Sequence, residues 1–315
     1  MTPAITVRNL RKSYGEQTVL DGIDLTVPQG TVFSLLGPNG AGKTTTVQIL
    51  STLIDAEDGT VQVAGHDVAT ERTAVRGAIG VTGQFSAVDE LLTGRENLLL
   101  MADLHHLPRA EGKRLADELL ARFDLVEAGA RTAATYSGGM TRRLDLAMTL
   151  VGAPRIIFLD EPTTGLDPRS RRSMWQIIRS LVDDDGVTVF LTTQYLEEAD
   201  ELADRIAVLD KGRIVAEGTA AELKRLVPGG HIRLRFTDAA ALDRATAVLD
   251  TAQILGEEFT LAVPSDGSVA ALRAVLDRLD LHDLEPAGLA VHTPNLDDVF
   301  LSLTGHAADS KETVR

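Results

Sequence analysis

The 315-residue chain contains no cysteine, a deficit of basic residues and no long uncharged apolar run. The missing cysteines remove disulfides, thiolate metal sites and cysteine nucleophiles together, and are expected of a protein kept in a reducing compartment. With 31 Lys+Arg against 46 Asp+Glu the formal net charge is −15. That balance argues against a protein that coats nucleic acid, because phosphate binding needs a basic face. No apolar stretch approaches the roughly 18 residues of a membrane span, and the first residues, MTPAITVRNLRKSYG, have no apolar signal-peptide core. The expectation is a cytoplasmic protein that works at a membrane only through a partner. Hydrophobic residues make up 44% of the chain, an ordinary share for a folded protein, and the length suits one large domain with a smaller one.

Strand and helix patterns alternate. Ile5, Val7 and Leu10, then Ile23, Leu25 and Val27, fall near strand periodicity, and residues 31–36 form an apolar run ending in a glycine-rich loop. A helix follows from about Thr44. Residues 96–123 read as helical, interrupted by Pro108, and another helix starts near Ser137. Residues 156–159, 187–191 and 206–209 read as buried strands, with a helix around 174–181 between the first two. Strands alternating with helices predict an α/β sheet. Pro228-Gly229-Gly230 is the clearest break, giving domains at 1–227 and 228–315. Beyond it come a strand (231–236), a helix (239–249), a strand (259–263), a helix (269–279), a strand (288–292) and a helix from Asn295. These make a small C-terminal α/β domain, ending in a frayed tail from Ala307.

Gly37-Pro38-Asn39-Gly40-Ala41-Gly42-Lys43-Thr44 matches the phosphate-loop pattern G-x-x-x-x-G-K-[ST]. Glycines let backbone N–H groups turn inward onto phosphate oxygens, and the following helix offers its positive end to the same anion. Lys43 places a cation on the outer phosphates. The Thr44 hydroxyl can ligate Mg²⁺, and Thr45 follows it at the helix start. Ile156-Ile157-Phe158-Leu159-Asp160-Glu161 is a hydrophobic strand ending in two acids. Asp160 is placed to hold Mg²⁺, directly or through water, and Glu161 to orient or deprotonate an attacking water.

Between these motifs lies Tyr136-Ser137-Gly138-Gly139-Met140, which resembles the Leu-Ser-Gly-Gly-Gln signature of ATP-binding cassette (ABC) ATPases. The order phosphate loop, lone Gln84 after a strand, signature, Asp160-Glu161 and Gly165-Leu166-Asp167 also matches that family over residues 4–225. In detail the chain resembles the ATPase subunits of daunorubicin/doxorubicin-type resistance exporters. Val81-Thr82-Gly83-Gln84, residues 136–144, residues 163–171, Thr192-Thr193-Gln194-Tyr195-Leu196 and Leu296-Asp297-Asp298-Val299-Phe300-Leu301 carry that likeness.

The resemblance implies a phosphate-loop ABC ATPase domain using ATP and Mg²⁺. It further implies a head-to-tail homodimer in which Ser137, Gly138 and Gly139 close over the other subunit's ATP. An ABC-2-type membrane permease would be the partner, at the cytoplasmic face of the membrane, with an anthracycline-like cargo. A lipid, polysaccharide or peptide cargo is the alternative, and a soluble non-transport ABC ATPase the more remote one. By the same likeness Gln84 touches Mg²⁺ or the attacking water, residues 85–97 form the docking edge, Tyr14 stacks on adenine, and Asp167 links the two active sites. Asp167 reads equally as a turn residue before Pro168. Gln194 stands where most of the family has a histidine; it can donate a hydrogen bond to phosphate but cannot titrate near neutral pH. It is expected to position rather than to abolish hydrolysis. Arg142 and Arg143 read as a solvated helix face, with a nucleotide-facing role as the alternative, and His105-His106 reads as a solvated inter-helix stretch. His231 and His292 are not in ligand spacing. Leu296, Val299, Phe300 and Leu303 fit a core-facing helix as well as a docking one.

Overall fold

In the computed structural model the described residues are 3–84, 86–226, 230–249, 251–255, 259–265, 268–292 and 294–305. Phe85, Pro228, Gly229 and the tail from Ala307 lie outside them. The chain divides into two compact units, residues 1–220 and 221–315.

In the first unit, β1 (Pro3–Tyr14) and β2 (Gln17–Pro28) form a long hairpin. The buried β3 (Val32–Leu36) runs into the glycine loop and α1 (Lys43–Leu50). Then come β4 (Asp58–Val63), β5 (His66–Asp67), α2 (Arg72–Arg76) and β6 (Ile79–Thr82). The helical stretch is split as Pro108 requires, into α3 (Gly94–Leu104) and α4 (Arg109–Arg122). The rest is α5 (Gly138–Thr149), β7 (Ile156–Asp160), α6 (Pro168–Asp183), β8 (Thr188–Thr193), α7 (Leu196–Leu202), β9 (Arg205–Asp210) and β10 (Arg213–Gly218).

Two sheets result. An antiparallel one runs β2-β1-β4-β5. The other runs β10-β9-β3-β8-β7-β6, parallel except for the β10 edge. The antiparallel sheet was not separately legible. β4 buries only Val61 and Val63 among exposed neighbours, too weak a pattern to read from sequence. Strand alternation divides the apolar residues between two cores. Ile157, Leu159, Val189 and Leu191 pack with α3–α6. Phe33, Phe158 and Phe190 pack with α1 and the hairpin, where Phe33 stacks on Phe190 with centroids 5.5 Å apart.

α8 (Ala220–Lys224) stands at the division between the units. The second unit comprises β11 (His231–Arg235), α9 (Ala239–Val248), β12 (Gln253–Ile254), β13 (Thr260–Pro264), α10 (Val269–Asp280), β14 (Gly288–His292) and α11 (Leu296–Thr304). Its antiparallel sheet runs β12-β13-β11-β14, so βαββαβ is wound in the split, ferredoxin-like order. Ile232, Leu234, Phe236, Leu242, Leu261 and Val263 fill its core.

Strand pairing adds a contact in this unit that linear spacing does not show. His231 faces His292 across the β11–β14 pair with ring centroids 4.7 Å apart, and His292 Nε2 is 3.6 Å from Asp298 Oδ2. Antiparallel pairing joins residues far apart in sequence, which linear spacing hides. Among the described residues no group of three or more His, Cys, Asp or Glu side chains could hold a metal.

Candidate functional site

The ends of three neighbouring strands define the site. β3 lies beside β8, and β8 beside β7, with Leu36 opposite Thr193 and Thr192 opposite Asp160. The phosphate loop, Gln194 and the Asp160-Glu161 pair therefore emerge at one sheet edge, where ligands sit in such sheets. The loop is anchored by Gly37 N–H donating to Thr193 O at 3.1 Å. At Gly37 a Cβ would stand 2.3 Å from the Leu209 carbonyl oxygen, and at Gly42 (φ +108°) 2.6 Å from Leu20 Cδ2. Only glycine permits the turn at either place. Leu20 belongs to the β1–β2 hairpin, so the hairpin ending at Tyr14 borders the loop. Tyr14 is 51% exposed, with the Lys12 ammonium 5.4 Å from its ring centroid.

Lys43 is buried at the start of α1. Its Nζ donates to Gly37 O (2.9 Å) and Pro38 O (3.1 Å) and lies 3.2 Å from Glu161 Oε1. Thr44 in the same first turn is exposed, and Thr45 partly so. The unobstructed backbone at Gly40, the ammonium turned onto the loop carbonyls and the exposed hydroxyl suit a polyphosphate with its divalent cation.

The carboxylates are fixed by main-chain and threonine contacts. Thr192 Oγ1 donates to Asp160 Oδ1 at 2.5 Å and accepts from Glu161 N–H at 3.1 Å. Glu161 adopts a left-handed backbone, φ +49°. That conformation costs a non-glycine residue about 1–3 kcal/mol and persists only where its surroundings hold it. Thr164 Oγ1 reaches Glu161 Oε2 at 3.3 Å.

Arg142 requires a correction. It is not on a solvated face: it is 9% exposed and crosses from α5 into the interior. Its Nε donates to Pro162 O (2.9 Å), Nη1 to Gly83 O (2.8 Å), and Nη2 to Asp160 O (3.2 Å) and Glu161 O (3.4 Å). Asp145, one turn on, lies 3.4 Å from Nη1 and accepts from Ala87 N–H at 3.1 Å. Burial pushes the Asp145 carboxyl up, against the Ala87 N–H and the Arg142 charge, which pull it down. Arg143 is also engaged, donating to Phe123 O at 3.0 Å. Sequence reading missed Asp145 and the inward role of Arg142. The available signal was an opposite-charge pair at i,i+3 on an otherwise apolar helix, in line with Thr149.

The exposed Gln84 adjoins Gly83, so one guanidinium separates its loop from Glu161. Next to that loop, Leu91 is 86% exposed. The buried Asn97 pins the segment beneath it, accepting from Asp89 N–H (2.8 Å) and donating to Asp89 O and Thr93 O.

Ser137, Gly138, Gly139 and Asp167 form a second cluster. Ser137 caps α5, accepting from Met140 N–H, and stays exposed with Gly138. Asp167 caps α6, accepting from Arg169 N–H, Ser170 N–H and Ser170 Oγ, and these bonds hold its carboxyl below the usual range. A Cβ on Gly139 would meet Ser170 Oγ at 2.7 Å, which ties the two caps together. Among the described residues no hydrogen bond or ion pair joins this cluster to residues 37–44. The tyrosine that replaces the usual signature leucine is explained locally. Its hydroxyl donates to Ala128 O at 2.7 Å, and Gly94 leaves room for it.

Known proteins of similar sequence and fold place the chain among its relatives. The ABC transporter family profile matches residues 20–164. A daunorubicin resistance ATP-binding protein of Streptomyces coeruleorubidus is 50% identical over 311 residues, 98% of each chain. A Nod factor export ATP-binding protein of Ralstonia nicotianae is 39% identical over 96% of this chain and 94% of its own. Among solved structures, a dimeric post-hydrolysis ATP-binding cassette bound to ADP and phosphate superposes with a TM-score of 0.63. It is 28% identical and covers 68% of this chain and 98% of its own.

Proposed function

Because this chain belongs to the ABC transporter family, as an ATP-hydrolysing subunit, we propose that it powers export of an anthracycline-like drug. The route is a separate ABC-2-type permease, with the subunit held at the cytoplasmic face of the membrane. Among the described residues no helix is long and apolar enough to cross a membrane, so the pore must come from the partner. The observation that carries the ATPase assignment is the convergence of the phosphate loop and Glu161, with Lys43 Nζ 3.2 Å from Glu161 Oε1.

In this reading the N–H groups of Asn39, Gly40 and residues 42–45, on the loop shaped by Gly37, Pro38 and Ala41, and the Lys43 ammonium bind the phosphates, and Tyr14 stacks on the base. Thr44, Asp160 and Gln84 would hold Mg²⁺, which when bound neutralises charge on the outer phosphates. Glu161 orients and deprotonates the attacking water, while Gln194 donates to the terminal phosphate. The exposed cap of Ser137, Gly138 and Gly139 closes on the nucleotide of a second subunit in a homodimer, with Asp167 beside it. The exposed Leu91 edge meets the permease. The second unit has the accessory or regulatory role, and seven basic against fourteen acidic residues after Val227 suit it to a basic surface.

The drug cargo follows the daunorubicin relative. The Nod factor relative supports a second reading, a lipid-, polysaccharide- or peptide-like cargo. Co-expression with the permease in a drug-sensitive host separates the two. Anthracycline resistance that disappears with Lys43→Ala and Glu161→Gln supports drug export. Magnesium-dependent ATPase activity without resistance supports the second reading.

A further inference from the structure

We propose that Arg142, with Asp145, is a positioning residue that holds Glu161 in its left-handed backbone and ties it to the Gln84 loop. The inference rests on the reading of Glu161 as the residue that activates water. One guanidinium donates to three consecutive carbonyls, Asp160, Glu161 and Pro162, and to Gly83 across the site. The carbonyls on both sides of the strained peptide are thereby held, while Thr192 holds the Glu161 N–H. Arginine's planar fork of five donors can serve four acceptors spread in this way; lysine's point charge with three donors cannot.

Asp145 completes the device. It partners the buried guanidinium, so the charge is not left alone, and it takes the Ala87 N–H. Arg142 and Asp145 thus grip the Gln84 loop at Gly83 and at Ala87, on either side of Gln84. A shift of that loop pulls on the guanidinium, and through it on the peptide that aims the Glu161 carboxylate. Both side chains sit on the helix that Ser137 caps, one to two turns from the cap. Closure of that cap is therefore felt at Glu161 by the same rigid element.

The test uses the full chain with ATP and magnesium. R142K keeps the charge opposite Asp145 but loses the fork. Its kcat should fall about tenfold or more, while KM and the dissociation constant of a fluorescent ATP analogue stay within about twofold, since Lys43 and the loop are untouched. Amide hydrogen exchange should accelerate together at Ala87 and Glu161. The double variant R142Q/D145N leaves no buried charge unpaired and covers the case in which R142K does not fold. It should show the same loss of kcat.

A wild-type kcat in a folded R142K chain overturns the proposal, as does exchange that rises at only one of the two amides. So does a wild-type kcat in R142Q/D145N when R142K is unfolded, which assigns Arg142 to stability alone. Failure of the underlying reading looks different: an undiminished rate in Glu161→Gln, whatever Arg142 variants do.

Discussion

The two units bury their polar groups in opposite ways. Every buried charged side chain among the described residues lies in the first unit: Lys43, Arg142, Asp145, Asp160, Glu198 and Asp210. The second unit buries only Thr260 and Thr304 among polar side chains, around a core of aliphatic residues with Phe236. Taking a charge out of water costs several kcal/mol unless it is paired, and apolar substitutes of similar volume stabilise at least as well. A unit that needed only to be stable would resemble the second. Three of the first unit's buried charges place atoms: the Lys43 ammonium at the phosphate loop, the Asp160 carboxylate at the end of β7 and the Arg142 guanidinium between loops. The first unit carries the region matched by the ABC transporter family; for the second we propose a role carried by its surface.

The contrast predicts the largest effects at the buried charges of the sheet edge. Lys43→Ala removes the cation that meets the phosphates and leaves Glu161 without its ion pair. Nucleotide binding and turnover should both collapse, turnover by roughly 10³-fold or more. Glu161→Gln keeps shape and acceptor but not the base. Turnover should drop by about 10²–10⁴-fold with nucleotide binding retained. Steady-state ATPase assays beside equilibrium binding separate the two. Equal loss of binding in both variants would deny Glu161 a role distinct from that of Lys43.

An apolar substitution in the second unit should do the reverse. Leu234 is fully buried on β11. Leu234→Ala should lower that unit's stability by about 2–5 kcal/mol through lost burial and a residual cavity. ATP turnover per folded molecule should stay near wild type. Calorimetry of the full chain, with turnover measured below the transition, checks this. A parallel fall in turnover would show that the second unit belongs to the catalytic machinery.

The same contrast explains what could be read from sequence. Residues 37–44, 137–139 and 156–161 are local patterns, and local geometry suffices to recognise them. Arg142 was misread because its acceptors are carbonyls 18 to 59 residues away, with no sequence identity of their own. Thr192 was legible only as part of the family-like stretch 192–196; its grip on Asp160 and Glu161 was not, because pairing alone sets it opposite Asp160. In the second unit the sequence pattern located β11, β13 and β14 but not the two-residue β12 (Gln253–Ile254). The order β12-β13-β11-β14, and with it the His231–His292 contact, is set by tertiary pairing and was not legible. Departures from the family pattern were legible as departures but not as accommodations. Tyr136 fits because Gly94 and the Ala128 carbonyl receive it.

Gln194 tests how finely the sheet edge is tuned. It follows β8 directly, beside the Thr193 carbonyl that anchors Gly37. Gln194→Ala removes one neutral donor and should lower turnover about tenfold with ATP binding nearly intact. Gln194→His should restore rate and add a pH dependence near the histidine pKa, which the glutamine does not confer. Unchanged turnover in the alanine variant would assign the whole of hydrolysis to Glu161 and the loop.

Glu198 gives the smallest predicted effect and the sharpest sign. It is fully buried on α7, where Oε1 accepts from Thr163 Oγ1 (2.7 Å) and Trp175 Nε1 (3.1 Å). Burial raises its pKa; hydrogen bonds from Thr193, Thr163 and Trp175 and the charge of Arg171 act against that rise. A raised folded pKa means the fold keeps this proton after the unfolded chain has released it. The stabilisation is complete below the ordinary value of 4.5. It is lost as pH climbs from there through the folded value. Glu198→Gln keeps an acceptor for both donors and has nothing to ionise. Its stability should fall less than wild type over that rise in pH, with a difference of roughly 1 kcal/mol at neutral pH. Urea midpoints measured from pH 4 upward give the comparison. Parallel profiles for the two chains would mean that Glu198 ionises in the fold as easily as in the unfolded chain. Its four neighbours would then outweigh its burial, and the first unit would hold this charge at no cost.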